Sequence, residues 1–196
     1  MKIVGLTGSI GMGKSETAKM FAEQGIPVFD ADAEVHKLQA VGGKALPAID
    51  RAFPGMIADG VLDRARLGAL VFSDAAAKRK LEAIMHPMVG EARMGFFEAA
   101  EKARAAFVVL DIPLLFETGG DKACDRVVVV SAPAAIQRAR TLSRSGMTEK
   151  KFKQILAKQT PDADKRAAAD YIIETDKGFD YARAQVAQII ATLKGE

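Results

Sequence analysis

The sequence predicts an α/β protein built on a doubly wound parallel sheet, with a helical insertion and a helical lid. Three observations carry that expectation. Short apolar runs alternate with stretches of helical spacing, the pattern of a parallel sheet covered on both faces. The first run passes directly into the glycine-rich segment Gly8-Ser9-Ile10-Gly11-Met12-Gly13-Lys14-Ser15. Between Gln137 and Arg166 stand nine lysines and arginines against three acids, leaving nineteen bases and twenty-two acids elsewhere. One basic arm therefore sits on a mildly acidic body.

Lys2 to Leu6 reads as the first strand, and after Ser15 the spacing turns helical through Ala18 and Phe21 until Gly25 and Pro27 stop it. Val28-Phe29 is a second short strand that delivers Asp30-Ala31-Asp32 to a sheet edge. From Ala33 to about Ala105 no strand is expected. Helical spacing recurs there, as in Ala77, Leu81, Ile84 and Met85 behind a Ser73 cap, while Gly42-Gly43, Phe53-Pro54-Gly55 and His86-Pro87 read as turns or helix stops. Phe107 to Ile112 and Arg126 to Ser131 are valine-rich runs of the kind buried on both faces of a parallel sheet. Pro133 opens the next helix and Thr148 caps another, with Phe152, Ile155 and Leu156 on one face, so the basic arm becomes a helical pair about Gly146. A strand from Tyr171 to Ile173 and a helix carrying Val186, Ile189, Ile190 and Leu193 close the chain. The expected parts are a core over 1–32, 106–136 and 167–196, an insertion over 33–105 and a lid over 137–166.

With 196 residues, 49% of them hydrophobic, the chain can bury a full core. Its apolar runs fall far short of the ~20 residues a membrane-spanning helix needs, and Lys2 leads into a strand and a glycine loop rather than a signal peptide's apolar stretch. A cytoplasmic place with no membrane partner is expected. Cys124 is the single cysteine, which excludes an internal disulfide and a cysteine-built zinc site. The net charge of +3 would suit a nucleic-acid binder, but the basic arm offers only Phe152 for base stacking, so no nucleic-acid partner is expected. Oligomeric state is left open, with a monomer favoured.

Gly8 to Ser15 matches G-x-x-x-x-G-K-S/T without a gap and stands between a strand and a helix, as the phosphate-binding loop of a P-loop NTPase fold requires. Its glycines let backbone N–H groups turn inward onto phosphate oxygens, and the following helix adds its positive end. Gly8, Gly11, Met12, Gly13, Lys14 and Ser15 are thus expected to bind ATP, Lys14 at the β- and γ-phosphates and the Ser15 hydroxyl on Mg2+. Glu16 follows beside the phosphates.

Asp30 and Asp32 alternate on an extended segment, so only one faces the nucleotide. Asp32 is the candidate to accept a proton from an attacking hydroxyl, with Asp30 as companion, unless it simply caps a helix starting at Ala33. Asp111 ends its strand as a Walker B acid does, placed either to hold the magnesium water shell or to make a strand-end turn. Arg138, Arg140 and Arg144 lie on the arm. Arg140 and Arg144, at i and i+4, share a helical face that either clamps ATP phosphates or is merely solvated. His36 and His86, the only histidines, have no cysteine partners for a metal site, and His86 either ends a helix or hydrogen-bonds a substrate.

Over nearly its whole length the chain resembles the dephospho-CoA kinases. The likeness lies in Leu6-Thr7-Gly8-Ser9-Ile10-Gly11 with the loop, Asp30-Ala31-Asp32, Leu62-Asp63-Arg64, Ile84-Met85-His86-Pro87, Ile112-Pro113-Leu114-Leu115-Phe116-Glu117 and Gln154-Ile155-Leu156-Ala157-Lys158-Gln159. The resemblance implies transfer of the γ-phosphate of ATP to the ribose 3′-hydroxyl of dephospho-CoA, the final step of coenzyme A synthesis, with Asp32 as base and Arg140 as a lid arginine on ATP. It implies that His86, Arg93, Leu115 and Glu117 lie toward the CoA-precursor pocket, which makes the insertion substrate-binding, and that lid closure excludes competing water. Two positions depart from the family pattern: Glu16, where relatives commonly carry Thr, and Glu174-Thr175-Asp176, where they commonly have an Asn-containing turn. The chain contains no asparagine, which excludes the Asn-Lys-x-Asp motif of regulatory GTPases. A nucleoside-monophosphate kinase, sharing fold and lid, is the nearer rival.

Overall fold

The computed structural model describes residues 1–195, which fall into two units, residues 1–29 with 100–195, and Asp30–Ala99. In chain order the elements are β1 (Lys2–Thr7), α1 (Lys14–Glu23), β2 (Val28–Asp30), α2 (Ala31–Leu38), α3 (Leu46–Ala52), β3 (Ile57–Ala58), β4 (Val61–Leu62), α4 (Arg64–Ser73) and α5 (Ala75–Lys102). There follow β5 (Phe107–Asp111), β6 (Arg126–Ser131), α6 (Ala134–Leu142), α7 (Glu149–Leu156), α8 (Asp162–Ala167), β7 (Tyr171–Glu174) and α9 (Phe179–Gly195).

The main sheet has the order β2-β5-β1-β6-β7, with β1 parallel to β5 and β6, and β6 parallel to β7. Because successive strand side chains alternate in direction, β6 serves two cores. Val128 and Val130 join a cluster with Phe21 of α1 and Val186, Ile190 and Leu193 of α9, whereas Val127 and Val129 pack with Leu115 on a second cluster. Each large apolar side chain buried in this way stabilises the fold by about 1.5–3 kcal/mol. The order reverses direction around β1, so the loop after β1 leaves the sheet at its switch point, where doubly wound sheets bind ligands.

The insertion holds its own core, built from Leu38, Leu46, Ile49, Phe53, Leu67 and Met85. It departs from expectation in three places. Ile57–Ala58 and Val61–Leu62 form a two-stranded antiparallel hairpin, joined by Asp59 and Gly60 at φ 51° and 76°. That is the left-handed pair a tight hairpin turn needs, supplied by an Asp-Gly sequence. His86-Pro87 does not stop a helix, because α5 runs through it. An interior proline costs about 3 kcal/mol, but Leu81, Ile84 and Met85 before it and Met88 and Val89 after it all belong to one apolar cluster, whose burial outweighs one lost backbone bond. Finally, the cap before α5 is Asp74, whose Oδ1 accepts from Ala76 N at 2.7 Å and Ala77 N at 3.2 Å, while Ser73 ends α4.

The basic arm contains three helices rather than a pair, since α8 follows α7. Pro133 and Thr148 stand at the starts of α6 and α7 as expected, and Thr148 Oγ1 accepts from Lys151 N at 3.2 Å. No described helix is long and apolar enough to cross a membrane.

Candidate active site

The phosphate loop occupies the turn between β1 and α1. Lys14 is the first residue of α1, so the helix's amide end, where four N–H groups lack intrahelical partners, opens onto the loop. Lys14 Nζ is paired with Asp111 Oδ1 at the end of β5; the lysine side chain is 15% exposed and the aspartate 3%. Asp111 is thus held against the loop lysine and is not simply a strand-end turn. Ser15, exposed, follows on the same helix end. Met12 contributes no side chain to this surface, since it is buried and its Sδ accepts from Ala132 N at 3.1 Å.

Arg140, on α6, forks onto Thr175, with Nη1 donating to Oγ1 at 2.8 Å and Nη2 to the carbonyl at 2.6 Å. The Thr175 hydroxyl itself donates to Met12 O at 2.7 Å, so this residue bridges the loop and the arginine. Beside them lies a pocket of ≈ 220 Å³ whose lining includes Gly13, Thr17, Met20, Arg140, Thr175 and Phe179. Glu16 also borders it, and its charge is answered by Lys19, whose Nζ lies 2.7 Å from Glu16 Oε1. That hydrogen bond raises the Lys19 ammonium above its ordinary pKa. Glu174, next to Thr175, is held below the usual carboxylate range chiefly by its hydrogen bond from Lys177.

The expected pairing of Arg140 with Arg144 on one helical face is not formed. α6 ends at Leu142, so Arg144 lies in an exposed turn beyond it. Arg138, also on the arm, pairs with Glu149 of α7 on the surface.

Leu115 and Glu117 are also placed differently from a substrate-facing expectation. Leu115 is fully buried in the second core cluster. Glu117 Oε1 accepts from Thr160 N at 2.7 Å and lies 2.9 Å from Nζ of Lys165, whose side chain is completely buried. Burial alone would raise the Glu117 carboxyl, but Lys165, the residue's own backbone and the Thr160 amide together hold it below its ordinary value. Nothing in the sequence distinguishes Lys165 from the solvated charges around it.

Within the insertion, the extended segment stops at Asp30. That residue caps α2, its Oδ1 accepting from Ala33 N at 2.8 Å, so Asp32 lies exposed in the helix's first turn rather than alternating with Asp30 on a strand or capping the helix itself. Its carboxylate sits at the positive end of the helix dipole. Arg64 donates through Nη2 to His36 O at 2.7 Å, which ties α4 to the last turn of α2. His86 and Arg93 are both exposed on α5, seven residues and so about two turns apart on one face.

The family model for dephospho-CoA kinase matches residues 2–180. A protein of Bradyrhizobium diazoefficiens named dephospho-CoA kinase is 58% identical over 191 residues, 97% of this chain and 95% of its own. A crystal structure from Thermus thermophilus superposes with a TM-score of 0.82 at 32% identity, covering 97% of this chain and 96% of that one. The dephospho-CoA kinase of Campylobacter jejuni, 23% identical, shares the fold with a TM-score of 0.68 over 100% of this chain and 98% of its own.

Proposed function

The chain belongs to the dephospho-CoA kinase family, and from that premise we propose that it transfers the γ-phosphate of ATP to the ribose 3′-hydroxyl of dephospho-CoA, giving coenzyme A and ADP. The single observation that carries the reading to this chain's own residues is the pairing of Lys14 with Asp111 at the mouth of the phosphate loop. A buried carboxylate holds the loop lysine where incoming phosphates would meet it.

In this reading Gly8, Gly11, Gly13 and the amides of Met12, Lys14 and Ser15 cradle the phosphates, and Lys14 exchanges Asp111 for the β- and γ-phosphate oxygens. Arg140 neutralises charge on the transferring group from the opposite side. The apolar walls of the pocket beside Thr175 take the adenine base, and Glu16, paired to Lys19, borders it at little electrostatic cost to ATP. Asp32 accepts the proton of the 3′-hydroxyl. His86 and Arg93 face the CoA precursor from α5, and the arm over 137–166 closes to exclude water. Glu117 acts on the precursor side only through the segment it anchors.

Magnesium bound with ATP would supply charge neutralisation for the transferring phosphate. Ser15 would hold it directly through its hydroxyl and Asp111 through water. That donor set fits the ion, which is usually held by one or two protein oxygens plus water and substrate phosphates; among the described residues no three acidic, histidine or cysteine side chains form a protein cage. One chain supplies every residue named, so a monomer suffices, and a sequence with a single cysteine, Cys124, fits a cytoplasmic setting.

The reading is tested by locating the new phosphate. Phosphorus NMR of the product should show a phosphomonoester on the ribose 3′ oxygen, and a product phosphorylated elsewhere would defeat it.

A further inference from the structure

We propose that Gln137 and Gln159 are positioning residues that set the crown of the phosphate loop and register it to Arg140, a role that rests on the kinase reading above. The two side chains reach one loop residue from opposite ends of the basic arm. Gln159 Oε1 accepts from Ile10 N at 3.1 Å, and Gln137 Nε2 donates to Ile10 O at 2.9 Å. The chemistry of the partner fixes each amide's orientation, since a backbone N–H needs an acceptor and a carbonyl needs a donor.

The contact leaves no slack. Gln137 is 6% exposed, and its own carbonyl accepts from Thr141 Oγ1 at 2.8 Å. A Cβ placed on Gly11 would lie 2.7 Å from Gln137 O and 2.3 Å from Thr141 Oγ1, with the backbone at φ +79°. Only glycine lets α6 press so closely on the loop. Arg140 stands between Gln137 and Thr141 on the same helix and reaches Thr175, whose hydroxyl holds Met12 O. The loop is therefore gripped at Ile10 by the glutamines and at Met12 by Thr175, and both grips lead to Arg140. A loop that must aim several N–H groups at phosphate oxygens gains from this, because a misplacement of about 1 Å in a reacting group can cost about 10²-fold in rate.

The experiment measures steady-state kinetics with magnesium-ATP and dephospho-CoA, and magnesium-ATP affinity by calorimetry, on the full chain. Gln159→Leu, which removes the acceptor, should lower kcat by about tenfold or more and weaken ATP binding, with the KM for dephospho-CoA within about twofold. Gln159→Glu offers a carboxylate oxygen to the same N–H and should recover both readouts to within about threefold. Gln137→Glu sets a carboxylate against a carbonyl and should not recover relative to Gln137→Leu. Combined with Arg140→Ala, Gln159→Leu should cost less than the product of the two single losses, as coupled residues do.

The proposal is overturned if Gln159→Leu keeps wild-type kcat and ATP affinity, if Gln159→Glu is as impaired as Gln159→Leu, or if the losses multiply. A wild-type protein that binds ATP but ignores dephospho-CoA would instead defeat the substrate reading. In that case the ATP affinities of the same variants still decide the glutamine grip.

Discussion

Replacing Glu117 by Gln removes the counter-charge of Lys165 while keeping an oxygen for the Thr160 N–H. The structure sets the size of the effect. Lys165 Nζ lies 2.9 Å from Glu117 Oε1, the lysine side chain is 0% exposed and the glutamate 14%. Taking one partner from such a buried pair leaves an uncompensated charge and costs about 3–5 kcal/mol. For a chain of this length each kcal/mol corresponds to about 2–4 °C, so the melting temperature should fall by about 6–20 °C. The deficit should also depend on pH. Glu117 is held below its ordinary pKa, so its contribution is complete above the usual carboxylate range and lost as pH falls through its folded value. Wild type and Glu117→Gln should therefore converge on acidification. Adding Lys165→Met to Glu117→Gln should restore most of the loss, since it removes the buried ammonium left without its counter-charge. Thermal melts from neutral to acidic pH read all three effects. An unchanged melting temperature for Glu117→Gln at neutral pH, or a deficit that does not shrink in acid, would refute the reasoning.

Three further outcomes follow from the same geometry. Asp32→Asn should lower kcat by about 10²–10⁴-fold if the carboxylate is the base, whereas near-normal turnover would leave it a helix-dipole residue of α2. Thr175→Val removes the hydroxyl that donates to Met12 O and accepts from Arg140; with two hydrogen bonds at about 0.5–1.5 kcal/mol each, the KM for ATP should rise about tenfold, and an unchanged KM would deny Thr175 its bridging part. Gly11→Ala should lower the urea midpoint by an amount equivalent to about 1–3 kcal/mol, because its Cβ meets Thr141 Oγ1 at 2.3 Å, and an unchanged midpoint would show that α6 yields freely.

Much of the fold is legible in the sequence because it is local. The run before Gly8, the loop pattern itself, the valine strands and the Thr148 cap each state their structure within a few residues. The hairpin of β3 and β4 was equally local, since Asp59-Gly60 between apolar pairs is a tight-turn signal, but strands of two residues carry almost no periodicity. Pro87 misleads for the opposite reason. Its local penalty is real, and only the insertion's core on both sides of it shows why the helix continues.

The candidate site divides along the same line. Lys14, Asp111 and Arg140 announce themselves by motif, strand end and arm. The contacts of Gln137 and Gln159 do not, because the residue they hold is 127 and 149 positions away and only the fold brings them to it. Gln159 ends one of the segments shared with the family, which marks the residue without naming its partner, and Gln137 and Thr141 at i and i+4 form a polar stripe on a helix face that turns out to be buried. Leu115 and Arg144 show the converse, where a motif position turns out to carry a fully buried side chain and a helical spacing is interrupted by the end of α6.

The most direct test of the account is ADP release from magnesium-ATP with dephospho-CoA as acceptor, set against AMP, CMP and dTMP at equal concentration. ADP release should depend on dephospho-CoA and stay at background with the three nucleotides. Stimulation by a nucleoside monophosphate and none by dephospho-CoA would contradict it.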